Sequence, residues 1–104
     1  MSGEQTARAD EPVIVVTGGA RGIGDGIIQE FVAHGYRGVS VDLAEPETLR
    51  QRTRYLLGDV RSLASVQAAF ADIDGAEGRV DVLVNNAGIQ RLGLTDRFLS
   101  LIHI

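Results

Sequence analysis

A glycine-rich stretch, TGGARGIGDG at residues 17–26, follows directly after the apolar run at residues 13–16. Glycine accepts positive φ angles and carries no Cβ, so a phosphate group can approach such a backbone closely. Where a helix begins within the stretch, its free N–H groups and its dipole attract an anion. The spacing Gly-x-x-x-Gly-x-Gly departs from the Gly-x-Gly-x-x-Gly dinucleotide pattern, so the stretch by itself is also compatible with an ordinary turn. The pyrophosphate-binding interpretation gives these candidate residues: Gly18, Gly19, Ala20, Arg21, Gly22, Ile23 and Gly24.

An acidic residue, Asp42, lies 24 positions after Gly18, at the end of the next apolar run. An aspartate about 20 residues beyond such glycines hydrogen-bonds the adenosine ribose in dinucleotide-binding proteins. Its carboxylate would also repel a 2′-phosphate, so Asp42 predicts NAD as the cofactor in preference to NADP. Arg21 argues in the opposite direction, because a guanidinium in the loop could pair with the added phosphate. Asp42 could also simply end a strand, but its position relative to the glycines favours the cofactor interpretation.

The hydrophobic period of the sequence changes in a regular order along the chain. Short apolar runs predict buried parallel strands at residues 13–16, 38–42, 55–58 and 80–84. Apolar residues at helical spacing predict a helix that ends near Gly35 and a second helix that begins after Ser62 as its N-cap. The polar segment after Pro46 is expected to form at most a short helix.

Strands that alternate with helices in this way indicate an α/β fold, a Rossmann-type doubly wound parallel sheet. Right-handed crossovers predict the strand order 3-2-1-4, with the sheet truncated after its fourth strand. The glycine-rich stretch then lies where the strand order reverses, between the first and fourth strands. Open α/β sheets bind their ligands at that point.

Composition excludes several classes of function. The 104 residues allow one small domain, and 44% hydrophobic with 23% charged residues is typical of a soluble globular protein. The net charge of −4 and the scattered basic residues argue against nucleic acid as a partner. The chain has no cysteine, and His34 and His103 are not placed for a metal site or a catalytic pair, so no metal is predicted.

No part of the sequence predicts a membrane partner. No run approaches the roughly 18 apolar residues of a membrane span. Residues 1–12 are polar and lack the apolar core of a signal peptide, so we expect a disordered leader. We therefore expect a cytoplasmic protein.

Four motifs within residues 13–89 resemble the N-terminal, coenzyme-binding half of the short-chain dehydrogenase/reductase family. Residues 17–24, TGGARGIG, match the family's TGxxxGxG coenzyme loop, and Asp42 matches its acidic residue after the second strand. Asp59 and Val60 match a pair that the resemblance places beside the adenine ring. Residues 85–88, NNAG, match a motif that supports the sheet and borders the coenzyme, which adds the candidates Asn86, Ala87 and Gly88.

These motif residues also have structural interpretations. Asp59 could cap the helix that begins near Ser62, and Asn85 and Asn86 could satisfy backbone groups at the end of a strand. Thr17 is more consistent with a turn-stabilising hydroxyl than with a nucleophile, because no base lies near it in the pattern. Asp25, just inside the first helix, suits the helix dipole but lies close to the predicted pyrophosphate.

The resemblance implies an NAD(P)-dependent oxidoreductase that interconverts a carbonyl and a secondary alcohol by hydride transfer. Family members use a serine and a Tyr-x-x-x-Lys pair beyond the NNAG motif, in which the tyrosine moves the proton and the lysine lowers the tyrosine pKa. This chain contains no lysine, so we predict no catalytic residue in it and expect the fragment itself to be inactive. For the full-length protein, the resemblance implies a small carbonyl or alcohol substrate and a homo-oligomer.

Two other functions are compatible with the sequence. One is a non-catalytic dinucleotide-binding module. The other, less well supported, is an α/β S-adenosylmethionine-dependent methyltransferase, which also combines a glycine loop with an acidic residue after the second strand. The NNAG match argues against the methyltransferase.

The last six residues, LSLIHI at 99–104, resemble the translation of a transposon adapter used in preparing sequencing libraries. We expect this tail to be non-native, with a native apolar strand as the alternative. The partial NAD(P)-binding domain is accordingly predicted over residues 13–98.

Overall fold

The computed structural model describes residues 11–87, which contain four strands and two α-helices. In chain order they are β1 (Val13–Thr17), α1 (Gly22–Ala33), β2 (Arg37–Asp42), β3 (Thr53–Leu57), α2 (Leu63–Ala76) and β4 (Val82–Asn85). This order confirms the predicted alternation of strands and helices. Between β2 and β3 the chain runs through bends and a turn, and no helix forms between Pro46 and β3. The predicted site residue Gly88 and the predicted tail at 99–104 lie outside the described residues.

The four strands form one parallel sheet in the order β3-β2-β1-β4, which confirms the predicted α/β topology. Strand β1 is central, and its residue Val15 pairs with Val39 of β2 on one side and with Leu83 of β4 on the other. All five residues of β1 are buried. Because the strands are parallel, their carboxyl ends meet at one edge of the sheet, and the sequence order reverses there between β1 and β4.

Two cores lie on opposite faces of the sheet, because successive strand residues point to opposite faces. On one face, β1 and β2 pack against α2, through Val13, Val15, Val39, Val41, Val66, Ala69, Phe70 and Ile73. On the other face, Ile14 and Val16 of β1 pack against Ile28 of α1. The continuous β-branched run in β1 thus serves both faces, as expected of a central parallel strand.

Polar contacts fix both ends of α2. The Ser62 hydroxyl accepts a hydrogen bond from the Ser65 N–H at 3.2 Å, which confirms Ser62 as the N-cap. At the other end, the buried Glu77 carboxylate accepts hydrogen bonds from Nε and Nη2 of Arg54 at 2.6 and 3.0 Å. The hydrogen bond to Glu77 raises the pKa of Arg54 above its ordinary value. This pair links the outer strand β3 to the end of α2.

An ion-pair cluster lies at the amino end of the sheet. Glu11 pairs with Arg52 and, at 3.8 Å, with Arg37, whose side chain is 2% exposed. The Arg37 N–H also donates a hydrogen bond to the Pro12 carbonyl at 2.8 Å. Residues 11 and 12, the end of the predicted leader, are therefore tied to β2 and to the turn before β3.

Candidate functional site

The glycine-rich loop connects the carboxyl end of β1 to α1 at the point where the strand order reverses. Gly18 and Gly22 have φ angles of 70° and 63°, which residues with a Cβ rarely adopt. A Cβ at Gly24 would lie 2.1 Å from the Gly18 carbonyl oxygen, so the first turn of α1 packs directly on the end of β1. A Cβ at Gly26, two residues further on, would meet open space. Backbone geometry therefore requires three of these glycines but not the fourth.

The remaining loop residues divide between the core and the surface. A Cβ at Gly19 would lie 2.7 Å from Cδ1 of Ile28, and Ala20 is buried. Arg21 and Ile23 are exposed at the start of α1. Among the described residues, the N-cap Arg21 makes no side-chain hydrogen bond to the helix. An exposed helix start of this kind offers its N–H groups to an anion.

The buried Thr17 hydroxyl fastens the loop to the segment after β4. It donates a hydrogen bond to Oδ1 of Asn85 at 2.9 Å and accepts the N–H groups of Asn86 and Ala87 at 2.9 and 3.1 Å. Nδ2 of Asn86 donates to the Gly18 carbonyl at 3.2 Å. These contacts confirm the structural role predicted for Thr17 and the backbone contact predicted for Asn86, whereas the Asn85 side chain meets the Thr17 hydroxyl. They also hold Asn86 and Ala87 beside the glycine loop.

Asp42 lies at the carboxyl end of β2, next to the glycine loop. Its Oδ2 accepts the Ala20 N–H at 3.1 Å, and its Oδ1 accepts the Ala44 N–H at 3.0 Å. An ionised carboxylate has about four acceptor positions, so these two bonds orient the group and leave acceptor capacity for a ligand. The structure thus brings the predicted ribose-binding carboxylate to the predicted phosphate loop.

Arg21, the residue whose charge favours NADP, contacts the acidic segment after β2. Its Nη2 donates to the Glu45 carbonyl at 3.2 Å, and its Nη1 lies 3.6 Å from the Glu47 carboxylate. Both charged side chains are more than half exposed, so the ion pair contributes little to stability. It nevertheless places the Arg21 guanidinium beside this segment.

A cleft of about 480 Å³ opens beside Asp42 at the carboxyl edge of the sheet. Its walls come from the carboxyl end of β2 and from the loops after all four strands: Gly18, Val41, Asp42, Leu43, Gly58, Asp59, Val60, Arg61, Asn86 and Ala87. A cleft of this size is within the range of small-molecule and cofactor sites. The fold therefore brings predicted residues from the ends of all four strands to one cavity, with Gly18 as the glycine-loop residue in its lining and residues 19–24 outside it.

Asp59 lines the cleft and pairs with Arg61. Oδ1 of Asp59 accepts the N–H and the Nε–H of Arg61 at 2.9 and 3.0 Å, and this side-chain hydrogen bond lowers the pKa of Asp59. The Asp59 N–H donates to the Ser65 hydroxyl at 2.8 Å. The alternative that Asp59 caps α2 is wrong, because Ser62 is the N-cap and the Asp59 carboxylate closes a turn on Arg61 instead. The adjacent Val60 is buried against the α2 core.

Sequence reasoning missed several residues of this region. Leu43 and Arg61 line the cleft, and each directly follows a residue that the motifs had identified, so position next to a motif was the available signal. Arg50 forms an ion pair with Asp25 at 2.8 Å. The two residues are 25 positions apart and belong to no common motif, so only the folded chain shows this pair.

Other classes of site are absent from the part of the chain that the structure describes. Within residues 11–87, no group of three or more His, Cys, Asp or Glu side chains is placed to hold a metal ion. No helix in the same range is both long enough and apolar enough to cross a membrane.

Comparison with known proteins gives consistent matches. Residues 12–100 match the family model described as short chain dehydrogenase. Oxidoreductase UcpA of Salmonella typhimurium is 44% identical over 87 residues, which cover 76% of this chain and 33% of UcpA. D-threitol dehydrogenase of Mycolicibacterium smegmatis is 46% identical over 94 residues, which cover 82% of this chain and 36% of that enzyme. The chain thus spans about a third of the length of these relatives.

A solved structure shares the fold. A short-chain dehydrogenase from Leptospira borgpetersenii, determined with bound NAD+, superimposes with a TM-score of 0.75 at 19% identity over 90% of this chain and 46% of its own. That likeness supports the sheet topology, while the family match rests on the sequence over most of the chain. The chain therefore belongs to the short-chain dehydrogenase family.

Proposed function

We propose that this chain binds the ADP portion of a nicotinamide dinucleotide at the carboxyl edge of its sheet. The observation that carries the proposal is the continuity between the glycine loop and the cleft at Asp42 and Asp59. The loop suits a diphosphate in its backbone shape as well as in its chemistry. The backbone at Gly18 and Gly22 has the positive φ angles of a phosphate-binding turn, and the start of α1 is exposed.

The glycine loop and the cleft each have a proposed role in holding ADP. The N–H groups of the first turn of α1, which begins with Gly22 and Ile23, bind the pyrophosphate. Asp42 accepts the ribose hydroxyls, and Asp59 with Val60 lies beside the adenine. Asn86 and Ala87, with Gly88 next in sequence, border the path toward the nicotinamide. Gly19 and Ala20 support the loop from the core side, since Gly19 lies close to Ile28 of α1 and Ser40 of β2, and Ala20 is buried with its N–H bonded to Asp42.

We further propose that the site prefers NAD to NADP. A 2′-phosphate would bring a second negative group toward the Asp42 carboxylate, which the Ala20 and Ala44 N–H groups hold in place. Arg21 is the nearby cation that would oppose this effect. Its contacts with Glu45 and Glu47 reduce the positive charge available to a phosphate.

For the whole protein, we propose an oxidoreductase that interconverts a small carbonyl compound and a secondary alcohol. The nicotinamide coenzyme supplies the hydride acceptor or donor when it is bound. The relatives named D-threitol dehydrogenase and oxidoreductase UcpA support this class of reaction. The catalytic serine and Tyr-x-x-x-Lys are expected beyond residue 98, the protein is expected to be a cytoplasmic homo-oligomer, and the 104 residues by themselves are expected to be inactive.

The proposal is tested by titrating the chain with NADH, whose nicotinamide fluorescence reports binding, and then competing with ADP, NADPH and S-adenosylmethionine. We expect ADP to displace NADH, NADPH to bind more weakly than NADH, and S-adenosylmethionine to have no effect. Binding of S-adenosylmethionine in place of NADH would instead support the methyltransferase alternative. If the folded chain bound none of these ligands, the proposed site would be refuted.

A further inference from the structure

The first turn of α1 carries a negative charge close to the proposed pyrophosphate site. Asp25 follows Gly24, whose backbone packs against Gly18 of the loop. The Asp25 side chain is only 16% exposed. A carboxylate in the first turn stabilises the helix, but it also opposes a second anion at the same N–H groups. A site for a diphosphate at this turn therefore needs a charge that offsets Asp25.

The offsetting charge comes from the loop between β2 and β3. The guanidinium of Arg50 donates to both carboxylate oxygens of Asp25, from Nε at 3.3 Å and from Nη2 at 2.8 Å. Such a two-pronged pair fixes the orientation of both groups. The Arg50 side chain remains 40% exposed, and its contact with Asp25 places its positive charge at the first turn of α1.

Tyr55 holds Arg50 in position. The Arg50 N–H donates to the Tyr55 hydroxyl at 3.2 Å, and that hydroxyl donates to the Thr48 carbonyl at 3.4 Å. The irregular segment before β3 is thereby anchored to the outer strand. The anchoring brings a residue 25 positions distant in sequence to the first turn of α1.

We propose that Arg50 is a positioning residue for the coenzyme diphosphate. It neutralises Asp25 and thereby lets the first turn of α1 accept a dianionic group. This inference rests on the proposed ADP site. It assigns diphosphate recognition in part to the loop between β2 and β3, outside the glycine motif.

The test compares the affinities of the 104-residue chain for ADP and for uncharged adenosine, by calorimetry. Arg50→Gln should weaken ADP binding about fivefold, because it leaves the charge of Asp25 unopposed in a partly solvated site, and this loss should shrink as salt is added. Adenosine binding should change less than about twofold, because adenosine carries no phosphate. Asp25→Asn should strengthen ADP binding, and the double variant Arg50→Gln/Asp25→Asn should return close to the wild-type affinity.

Arg79→Gln is the matched control. Arg79 also pairs with an aspartate, Asp81, and is 37% exposed, but Asp81 lies beside the amino end of β1, away from the cleft. This variant should bind ADP and adenosine as the wild type does.

Three outcomes separate the possibilities. Equal losses of ADP and adenosine affinity in Arg50→Gln would mean that Arg50 only supports the loop, and the inference would be wrong. An unchanged ADP affinity in both single variants would also refute it, while leaving the ADP site intact. Failure of the folded wild-type chain to bind ADP would refute the proposed function, and this inference with it.

Discussion

Asp42→Asn removes the charge proposed to select NAD while keeping the shape of the side chain. In the structure the carboxylate accepts the Ala20 N–H at 3.1 Å and the Ala44 N–H at 3.0 Å. An asparagine retains one oxygen acceptor, so one of these two N–H groups faces an NH2 group instead. Hydrogen bonds to a charged group contribute about 1.5–3 kcal/mol, so loss of one such bond to the ribose corresponds to at least about a tenfold decrease in NADH affinity.

NADPH should respond in the opposite direction, because the substitution also removes the repulsion of a 2′-phosphate. We therefore expect the ratio of the NADPH and NADH dissociation constants to fall by at least about tenfold. The assay is a fluorescence titration with each coenzyme on the same preparation. The ratio of the two constants does not depend on the folded fraction, so a loss of stability in the variant does not distort it.

Asp59→Asn is the control for this prediction. Asp59 lines the same cleft and is proposed to lie beside the adenine, which both coenzymes share. Its substitution should change both affinities together and leave their ratio unaltered. An unchanged ratio in Asp42→Asn would refute the argument that Asp42 discriminates between the coenzymes.

Four further substitutions test the loop and the sheet. Gly24→Ala places a Cβ 2.1 Å from the Gly18 carbonyl oxygen and should abolish NADH binding, and normal binding would contradict the loop geometry. In Gly26→Ala the added Cβ meets open space, so this variant should bind NADH normally. Its free energy of unfolding, measured with urea, should rise by about 0.5–1 kcal/mol. Thr17→Val leaves the N–H groups of residues 86 and 87 without their acceptor and should lower the free energy of unfolding by about 2–4 kcal/mol. A decrease of less than about 0.5 kcal/mol would show that these bonds contribute little to stability. The hydrogen bond from Arg79 lowers the pKa of Asp81 in the folded state, so its contribution is complete above the unfolded pKa of about 4 and is lost as pH falls through the lower folded value. Asp81→Asn should therefore weaken the dependence of unfolding free energy on pH between about pH 5 and 2, and an unchanged pH dependence would argue against this linkage.

Much of the fold was predictable because its causes are local or follow a general topological rule. The run at residues 13–16 has no polar face, so it predicted a strand buried on both sides, and β1 is such a strand. The crossover rule then predicted the order 3-2-1-4, which the sheet has. Strand ends were less well predicted. The fourth strand covers Val82–Asn85, where the apolar pattern had suggested residues 80–84, because pairing with β1 decides where a strand stops.

The candidate site was predictable to the extent that motifs mark it. Asp42, Asn86 and the glycine loop converge at one edge of the sheet because parallel strands present their carboxyl ends together. The capping role considered for Asp59 was wrong, because Ser62 is the N-cap of α2 and the Asp59 carboxylate accepts a hydrogen bond from Arg61. A local pattern names the residues able to cap a helix, but the backbone path between strand and helix decides which one does.

The sequence by itself determined the strand and helix order, the sheet topology, the need for glycine in the loop and the structural role of the Thr17 hydroxyl. All of these depend on hydrophobic period, on backbone sterics or on a short motif. Only the tertiary structure decided which charges meet. Arg50 pairs with Asp25, and Arg21 lies over Glu45 and Glu47, because the irregular segment between β2 and β3 passes the start of α1. That path depends on contacts between residues far apart in the chain, and the spacing of residues in the sequence does not predict such contacts.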